Sequence, residues 1–195
     1  GIWSFLDREC VRVEVGFNGI SIANAKVPAP SFLFPAHCSG VRLRDLDGDG
    51  ICELIVRDLQ NSGIYRIDHA AKSWKKLGFD LPAGLSIIAK SGNPRIGCQD
   101  AGLRFVDLNE DGHDDIVFSN HERYGIWLFK DMQSGWSIEV LSGTRDNNSP
   151  RAASRGIPPI VRKDGTDNGF FVHSRHLFWQ NEDTANLPDL VDRRS

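Results

Sequence analysis

The chain has 195 residues, of which 40% are hydrophobic and 25% are charged. This composition supports a packed core and argues against intrinsic disorder. Lys and Arg number 23 against 26 Asp and Glu, for a net charge of -3, whereas a dedicated nucleic-acid-binding protein would show a basic excess. No stretch approaches the roughly 18 uninterrupted apolar residues of a membrane-spanning helix. We therefore expect one domain or two small ones, with no nucleic-acid partner and no membrane span.

The spacing of the apolar residues predicts an all-β fold. Runs with helical i, i+3, i+4 spacing are scarce, whereas short β-branched runs, such as residues 11–15 and 20–22, lie between turn residues. The 19 glycines and 9 prolines divide the chain into many such short segments, which is typical of strands joined by tight turns.

Four cysteines are present at positions 10, 38, 52 and 98, with no CxxC or CxxCH spacing. Zinc and covalent haem sites are therefore disfavoured. One or two disulfides in an oxidising compartment fit this count, as do four reduced cysteines in the cytosol, and the sequence does not distinguish the possible pairings. The chain begins at Gly1 without Met, so we expect a mature product or a piece of a longer polypeptide.

An internal repeat appears when the sequence is shifted by 62 residues. Residues 40–56 then fall on residues 102–118, and the register continues without a gap through residues 63–65 and 125–127 to Trp74 and Trp136. Self-similarity at a long fixed period is typical of repeat architectures, in which neighbouring units bury each other's apolar faces.

Each copy predicts four short antiparallel strands, which is the unit of a β-propeller blade. The predicted strands are residues 41–44, 54–57, 64–67 and 74–77 in the first copy, and 103–106, 116–119, 126–129 and 136–140 in the second. We accordingly interpret residues 40–79 and 102–141 as two blades, 1–39 as flanking strands or a partial blade, 80–101 as a connecting segment, and 142–195 as a loop with a degenerate blade or a junction to a further domain. Two blades cannot close a ring, so we expect a partial or open propeller; a duplicated β-sandwich or hairpin pair is the alternative.

An acidic loop lies between the first and second predicted strands of each copy. Oxygen-bearing side chains occupy positions 1, 3 and 5, Gly occupies position 6, and a carboxylate occupies position 9. Together with the main-chain carbonyl at position 7, this pattern supplies the six or seven oxygens that suit Ca²⁺ better than Mg²⁺. The predicted ligands of these two calcium sites are Asp45, Asp47, Asp49, Ile51 and Glu53 in the first loop, and Asp107, Asn109, Asp111, His113 and Asp115 in the second.

An EF-hand is excluded because it needs a bidentate Glu at position 12, where this chain has Val56 and Phe118. An ordinary Asp-Gly turn without metal remains the structural alternative for either loop. The recurrence of the pattern in one register favours the metal.

The two loops and the strands before them resemble the FG-GAP/VCBS repeats of integrin-type β-propellers. The resemblance implies blades with structural calcium loops, in extracellular or periplasmic proteins that bind partners. Glu53 in place of Asp at position 9, and Asn109 in place of Asp at position 3, depart from the usual pattern. Residues 164–194 resemble the junction that joins such repeats to a putative membrane-bound dehydrogenase in large secreted bacterial proteins, which implies further domains of a longer polypeptide.

The sequence therefore favours an exported, calcium-binding propeller module with a structural role or a protein or glycan partner. The alternative is an accessory part of a dehydrogenase-like or carbohydrate-active propeller enzyme. That alternative would use a polar cluster near the C-terminus, formed by His173, Arg175, His176, Asn181, Glu182 and Asp183. We expect His173 and His176 to point to opposite sides of a strand, and we assign no catalytic or cofactor-binding residue.

Overall fold

The computed structural model describes residues 2–6, 9–13, 40–58, 61–92, 97–145 and 156–194, with side-chain environments from residue 40 onward. These residues form fifteen short strands and two 3-10 turns, Glu182–Thr184 and Pro188–Leu190, so the all-β prediction is confirmed. The predicted strand at residues 11–15 overlaps β2, whereas residues 20–22 lie outside the described ranges. None of the described residues forms a helix with the length and apolar character needed to cross a membrane.

The strands assemble into antiparallel sheets, and within each sheet the paired strands are consecutive in the chain. An N-terminal hairpin holds β1 (Ile2–Leu6) and β2 (Glu9–Val13). The first sheet has the order β3 (Val41–Arg44), β4 (Glu53–Arg57), β5 (Ser62–Asp68) and β6 (Ser73–Lys76), and a short hairpin of β7 (Ile88–Lys90) and β8 (Cys98–Asp100) follows it. The second sheet has the order β9 (Leu103–Val106), β10 (Asp115–Ser119), β11 (Arg123–Leu128) and β12 (Ile138–Thr144); the third contains β13 (Phe170–His173), β14 (His176–Trp179) and β15 (Asp192–Arg194).

The first and second sheets pair their strands in the same register at the 62-residue offset. Val41 lies opposite Val56 in the first sheet, and Leu103 lies opposite Phe118 in the second. The last strand is the exception, because a register shift at Ile126 and Trp127 accompanies a β12 that starts and ends later than predicted. β11 begins three residues before its predicted start at residue 126, and the remaining predicted strands of the two copies agree with the structure to within two residues at each end.

Both faces of each central strand are buried, which explains why β4 and β10 have uninterrupted apolar runs instead of alternating ones. On one side of the first sheet, Ile55 and Ile64 join a core shared with Ile116 and Phe118 of the second sheet. On the other side of the second sheet, Val117 and Ile126 pack in a core shared with Trp179 of the third. The three sheets therefore bury their faces against one another in chain order.

The third sheet begins in the same way as the first two. In each, the carbonyl of the glycine before the first strand accepts a hydrogen bond from an amide at the end of the second strand. The donors are Arg57, Ser119 and, one residue beyond β14, Gln180, at 2.7, 3.0 and 2.9 Å. The three glycines are Gly40, Gly102 and Gly169. A Cβ at Gly169 would lie 1.9 Å from the Gln180 oxygen, and one at Gly102 would lie 2.3 Å from the Ser119 oxygen, so these close approaches require glycine.

The third sheet differs from the other two in the connection between its first two strands. Residues 45–52 and 107–114 connect those strands in the first and second sheets, whereas Ser174 and Arg175 alone connect β13 to β14, and both have positive φ. The third sheet therefore has a tight hairpin turn where the others have an acidic loop. Within the described ranges the sheets form no closed barrel or ring, so their assignment as propeller blades stays a prediction.

Candidate metal centre

The two acidic loops are built on the same set of hydrogen bonds. The first acidic loop, residues 45–53, leads from β3 into β4, and the second, residues 107–115, leads from β9 into β10. In each, the aspartate at position 1 accepts hydrogen bonds from the amides at positions 5 and 6. The distances are 3.1 and 2.8 Å at Asp45, and 3.0 and 2.9 Å at Asp107. These bonds wrap the backbone around the first carboxylate.

Position 5 tightens the same turn in both loops. Asp49 accepts a hydrogen bond from the Ile51 amide at 2.8 Å, and Asp111 accepts one from the His113 amide at 2.9 Å. Between these residues lies a glycine with positive φ, 86° in the first loop and 90° in the second, a conformation that side chains with a Cβ disfavour. Because Ile51 and His113 were predicted to supply only carbonyl oxygens, their different side chains are compatible with one backbone.

The carboxylate at position 9 is fully buried in both loops, at 0% exposure for Glu53 and for Asp115. Asp115 accepts two backbone hydrogen bonds, from the Leu108 amide at 3.1 Å and from the Phe129 amide at 2.8 Å. Glu53 accepts one bond from another residue's backbone, from the Leu46 amide at 2.9 Å. Burial raises the pKa of both carboxyl groups above their ordinary values, because the charged form loses its hydration.

The first loop contains a cationic side chain that the repeat motif does not include. Arg66 on β5 donates to an oxygen of Asp47 at 2.7 Å and to an oxygen of Asp49. Its Nε lies 3.7 Å from Oε1 of Glu53. The guanidinium therefore contacts three of the carboxylates predicted to bind metal.

Two oxygen atoms of the first loop are buried without a hydrogen-bond partner. They are Oδ1 of Asp47 and Oε1 of Glu53, and an unpaired buried charge-bearing oxygen is costly. Asp45, Asp47 and Asp49 can each present a carboxylate oxygen within 4.8 Å of the others. A hard cation bound by these side chains would coordinate oxygens that have no hydrogen-bond partner, so the residues present fit a divalent metal.

The second loop offsets the negative charge of its carboxylates in a different way. Asn109 donates from its amide to Asp111 at 2.8 Å and accepts from the Asp111 main-chain amide at 3.1 Å. The substitution of Asn for Asp at position 3 therefore removes one negative charge and adds a hydrogen-bond donor to a neighbouring carboxylate. No cation from β11 reaches this loop, because the residue at the place of Arg66 is Leu128.

Contacts also join the acidic loops to each other and to the third sheet. Nδ1–H of His113 donates to the Leu46 carbonyl at 2.9 Å, and Arg44 lies 3.2 Å from Asp114. The tight turn of the third sheet contacts the second loop, because Arg175 donates to Glu110 at 2.9 Å. The sequence did not reveal these contacts, since they involve side chains that differ between the two copies.

The prediction that His173 and His176 point to opposite sides is wrong. The tight hairpin pairs the two residues directly across β13 and β14, and directly opposed side chains share a face of the sheet. His176 donates from Nδ1 to the Ser174 carbonyl at 2.5 Å and accepts at Nε2 from Arg193 at 2.6 Å. Both ring nitrogens of His176 are therefore already occupied.

The other polar residues of the C-terminal cluster make local structural contacts. Asn181 accepts from the Asp183 amide at 2.9 Å and caps the 3-10 turn, and Glu182 lies 2.5 Å from Arg162. The Arg162 guanidinium lowers the pKa of Glu182 to about 2. These contacts fix a turn and an ion pair, and they gather no nucleophile and base around one point.

Comparison with known proteins returns no matching family model, no similar curated protein and no similar solved structure. The case for a function therefore depends on the geometry of the two loops.

Proposed function

We propose that the chain is an exported, calcium-binding module of propeller-type repeats with a structural or partner-binding role, within a larger multidomain protein. One observation carries the calcium proposal. The first acidic loop holds buried oxygens of Asp47 and Glu53 that have no hydrogen-bond partner, beside the clustered carboxylates of Asp45 and Asp49. A bound cation would pair these oxygens and offset the repulsion between the carboxylates.

Both loops offer calcium a set of oxygens that the backbone has already arranged. The hydrogen bonds of Asp45 and Asp107 set the turn. Carboxylates at positions 3, 5 and 9 supply the charge in the first loop, and carboxylates at positions 5 and 9 supply it in the second. Calcium tolerates irregular coordination by six to eight oxygens, whereas magnesium demands a near-octahedral arrangement. We therefore propose two calcium sites, with Asn109 supplying an amide oxygen in the second.

The cysteines support the proposal of export. Cys52 is an exposed free thiol, whereas Cys98 is buried in the core between the first two sheets and is not a free thiol. We propose a disulfide from Cys98 to Cys10 or Cys38, whose side chains lie outside the described residues. Such a bond would form in an extracellular or periplasmic compartment.

The outward face of the third sheet supports a role in binding a partner. Phe171 is 43% exposed and stacks on Phe178 at 5.0 Å with an interplanar angle of 6°. Arg193 lies over the Phe178 ring at 5.9 Å. Exposed aromatic and arginine side chains of this kind are enriched at the centres of protein interfaces, and a flat aromatic surface also suits a glycan.

The calcium proposal is tested by thermal unfolding in EDTA, followed by addition of millimolar CaCl₂ or MgCl₂, together with calorimetric titration of calcium. We expect two calcium equivalents and a rise in Tm that is larger with calcium than with magnesium, because a ligand that binds the folded state stabilises it. Asp45→Ala and Asp107→Ala should each remove one equivalent, and Asp49→Asn and Asp111→Asn provide milder substitutions in the same loops. Glu122→Gln, an exposed acid outside both loops, is the control.

Failure of calcium to change Tm or to bind would contradict the proposal. Retention of both equivalents by Asp45→Ala or Asp107→Ala would contradict the assignment of that loop.

A further inference from the structure

Arg66 lies directly across the sheet from the buried carboxylate of the first acidic loop. The register of β4 and β5 pairs Leu54 with Tyr65, and its continuation by one residue places Arg66 opposite Glu53. From that position the guanidinium contacts Asp47 at 2.7 Å, contacts Asp49, and approaches Glu53 at 3.7 Å. Arg66 is about one-third exposed, so its charge partly retains contact with water while its donors point into the loop.

The second acidic loop provides an internal comparison. The same register pairs Ile116 with Trp127, so Leu128 lies opposite Asp115 where Arg66 lies opposite Glu53. Asp115 binds the Leu108 and Phe129 amides with its two oxygens. Oε1 of Glu53 has no hydrogen-bond partner, and Arg66 is the nearby charge. The two loops therefore differ in this cross-strand pair, although they share a backbone.

We infer that Arg66 is a built-in counter-ion of the first acidic loop that competes with a divalent cation for the carboxylates of Asp47, Asp49 and Glu53. This inference rests on the proposed function and deepens it, because it makes the two sites unequal. The first loop binds calcium only when the guanidinium withdraws from those oxygens. Among the described residues, no arginine or lysine forms an ion pair with the predicted ligands of the second loop, which therefore binds calcium more tightly.

Competition follows from charge and from the number of available oxygens. The guanidinium uses one oxygen of Asp47 and one of Asp49, and a cation bound among the same carboxylates would experience repulsion from it at close range. Binding of the metal to these carboxylates must therefore displace the arginine. In the absence of metal, the same guanidinium offsets the repulsion among the acidic side chains and keeps the first loop ordered.

Reciprocal substitution of the cross-strand residue tests this inference. Calcium titrations would compare two variants in which the first loop is the remaining site. One is Asp107→Ala, and the other is the double variant with Asp107→Ala and Arg66→Leu. We expect the affinity of the first loop to rise by roughly 5- to 150-fold, the usual range of coupling between two sites. Asp45→Ala with and without Leu128→Arg is the mirror experiment, and the added arginine should weaken the second loop. Arg66→Gln keeps the length and polarity of the side chain without its charge and should act in the same direction as Arg66→Leu.

Thermal unfolding provides a second readout that needs no bound calcium. In EDTA, Arg66→Leu should lower Tm, because the carboxylates lose their counter-ion. In saturating calcium, the difference from the wild-type chain should shrink or reverse.

The outcomes separate this inference from the proposed function. Calcium binding to the first loop with equal affinity in the presence and absence of Arg66 would overturn the competition and leave the calcium proposal intact. Absence of calcium binding by either loop in every variant would overturn the proposed function, and the competition with it. A higher Tm for Arg66→Leu in EDTA would overturn the role of Arg66 as a counter-ion even if both loops bind calcium.

Discussion

The first and second acidic loops share one hydrogen-bond framework, but they stabilise the buried carboxylate at position 9 by different means. In the second loop, Asp115 has a short side chain, and both of its carboxylate oxygens accept hydrogen bonds from backbone amides. In the first loop, the side chain of Glu53 is one methylene longer than that of Asp115. One of its oxygens accepts a hydrogen bond from the Leu46 amide, and the other points toward Arg66. The comparison shows that a repeated turn can keep its backbone while its electrostatics diverge.

Between the two copies, the residue at position 9 and the residue opposite it in the sheet both differ. Glu53 lies opposite Arg66, and Asp115 lies opposite Leu128. Without a cation opposite it, the longer side chain of Glu53 would carry a buried charge with no counter-ion. An arginine opposite Asp115 would find both carboxylate oxygens already hydrogen-bonded to backbone amides. In each loop, the residue opposite position 9 therefore matches the hydrogen bonding of the carboxylate there, and we expect substitutions of the two residues to be coupled.

The largest expected effect comes from removing the buried carboxylates in the absence of calcium. An unsatisfied buried group costs about 1–3 kcal/mol of unfolding free energy. Asp115→Ala leaves two amides without an acceptor and should cost about 2–6 kcal/mol, whereas Glu53→Ala leaves one and should cost about 1–3 kcal/mol. Urea denaturation in EDTA measures both, and the exposed Glu122→Ala, with a change within about 0.5 kcal/mol, is the control. An equal or larger loss for Glu53→Ala would break the comparison.

A smaller, equal effect is expected from the glycine at position 6 of each loop. Gly50 and Gly112 have φ values of 86° and 90°, and no atom would contact an added Cβ at either position. Alanine there should cost about 1–2 kcal/mol through backbone strain alone. Gly78→Ala, where φ is not positive and space is also open, is the matched control in urea denaturation. Clearly unequal losses at Gly50 and Gly112 would show that the two loops do not share one backbone.

The smallest expected effect is a pH dependence in EDTA. Burial raises the folded-state pKa of Glu53, so the folded chain holds this proton more tightly than the unfolded chain does. The resulting stability is fully present below the unfolded pKa of about 4 and is lost as pH rises through the folded pKa. Unfolding free energies measured from pH 4 upward should therefore fall more steeply for the wild-type chain than for Glu53→Gln. Parallel curves would contradict the raised pKa.

The strands and the acidic turns of the first two sheets follow from sequence pattern because both depend on local chemistry. Short runs of alternating apolar residues between turn residues predict β3 and β9 to the residue. Asp45 and Asp49 close the turn by accepting hydrogen bonds from amides two to five residues further along the chain, which is a local property of Asp side chains. The calcium ligand pattern was visible for the same reason. None of these features requires knowledge of which strands are neighbours.

The features that the sequence did not reveal depend on register between distant residues. Arg66 lies outside the repeated motif, and only the pairing of β4 with β5 places it opposite Glu53. The similarity of the third sheet to the first two is not apparent in the sequence, because its two-residue turn has no acidic motif. Gly169 is the feature of the motif that it retains. His173 and His176 were misplaced because a tight hairpin at Ser174, and not a continuing strand, lies between them.

The free thiol of Cys52 gives the first acidic loop a chemical reporter of its own charge. Cys52 is exposed and adjoins Glu53, and partial burial together with the nearby negative charges of Asp45, Glu53 and Asp49 raises its pKa. Because the thiolate is the reactive form, alkylation of this cysteine should be slow while no bound cation neutralises these carboxylates. A cation that neutralises them would lower the pKa of the thiol and accelerate the reaction. The rate of labelling at Cys52 thus converts the charge state of the first acidic loop into a covalent, residue-specific signal, and no cysteine needs to be introduced.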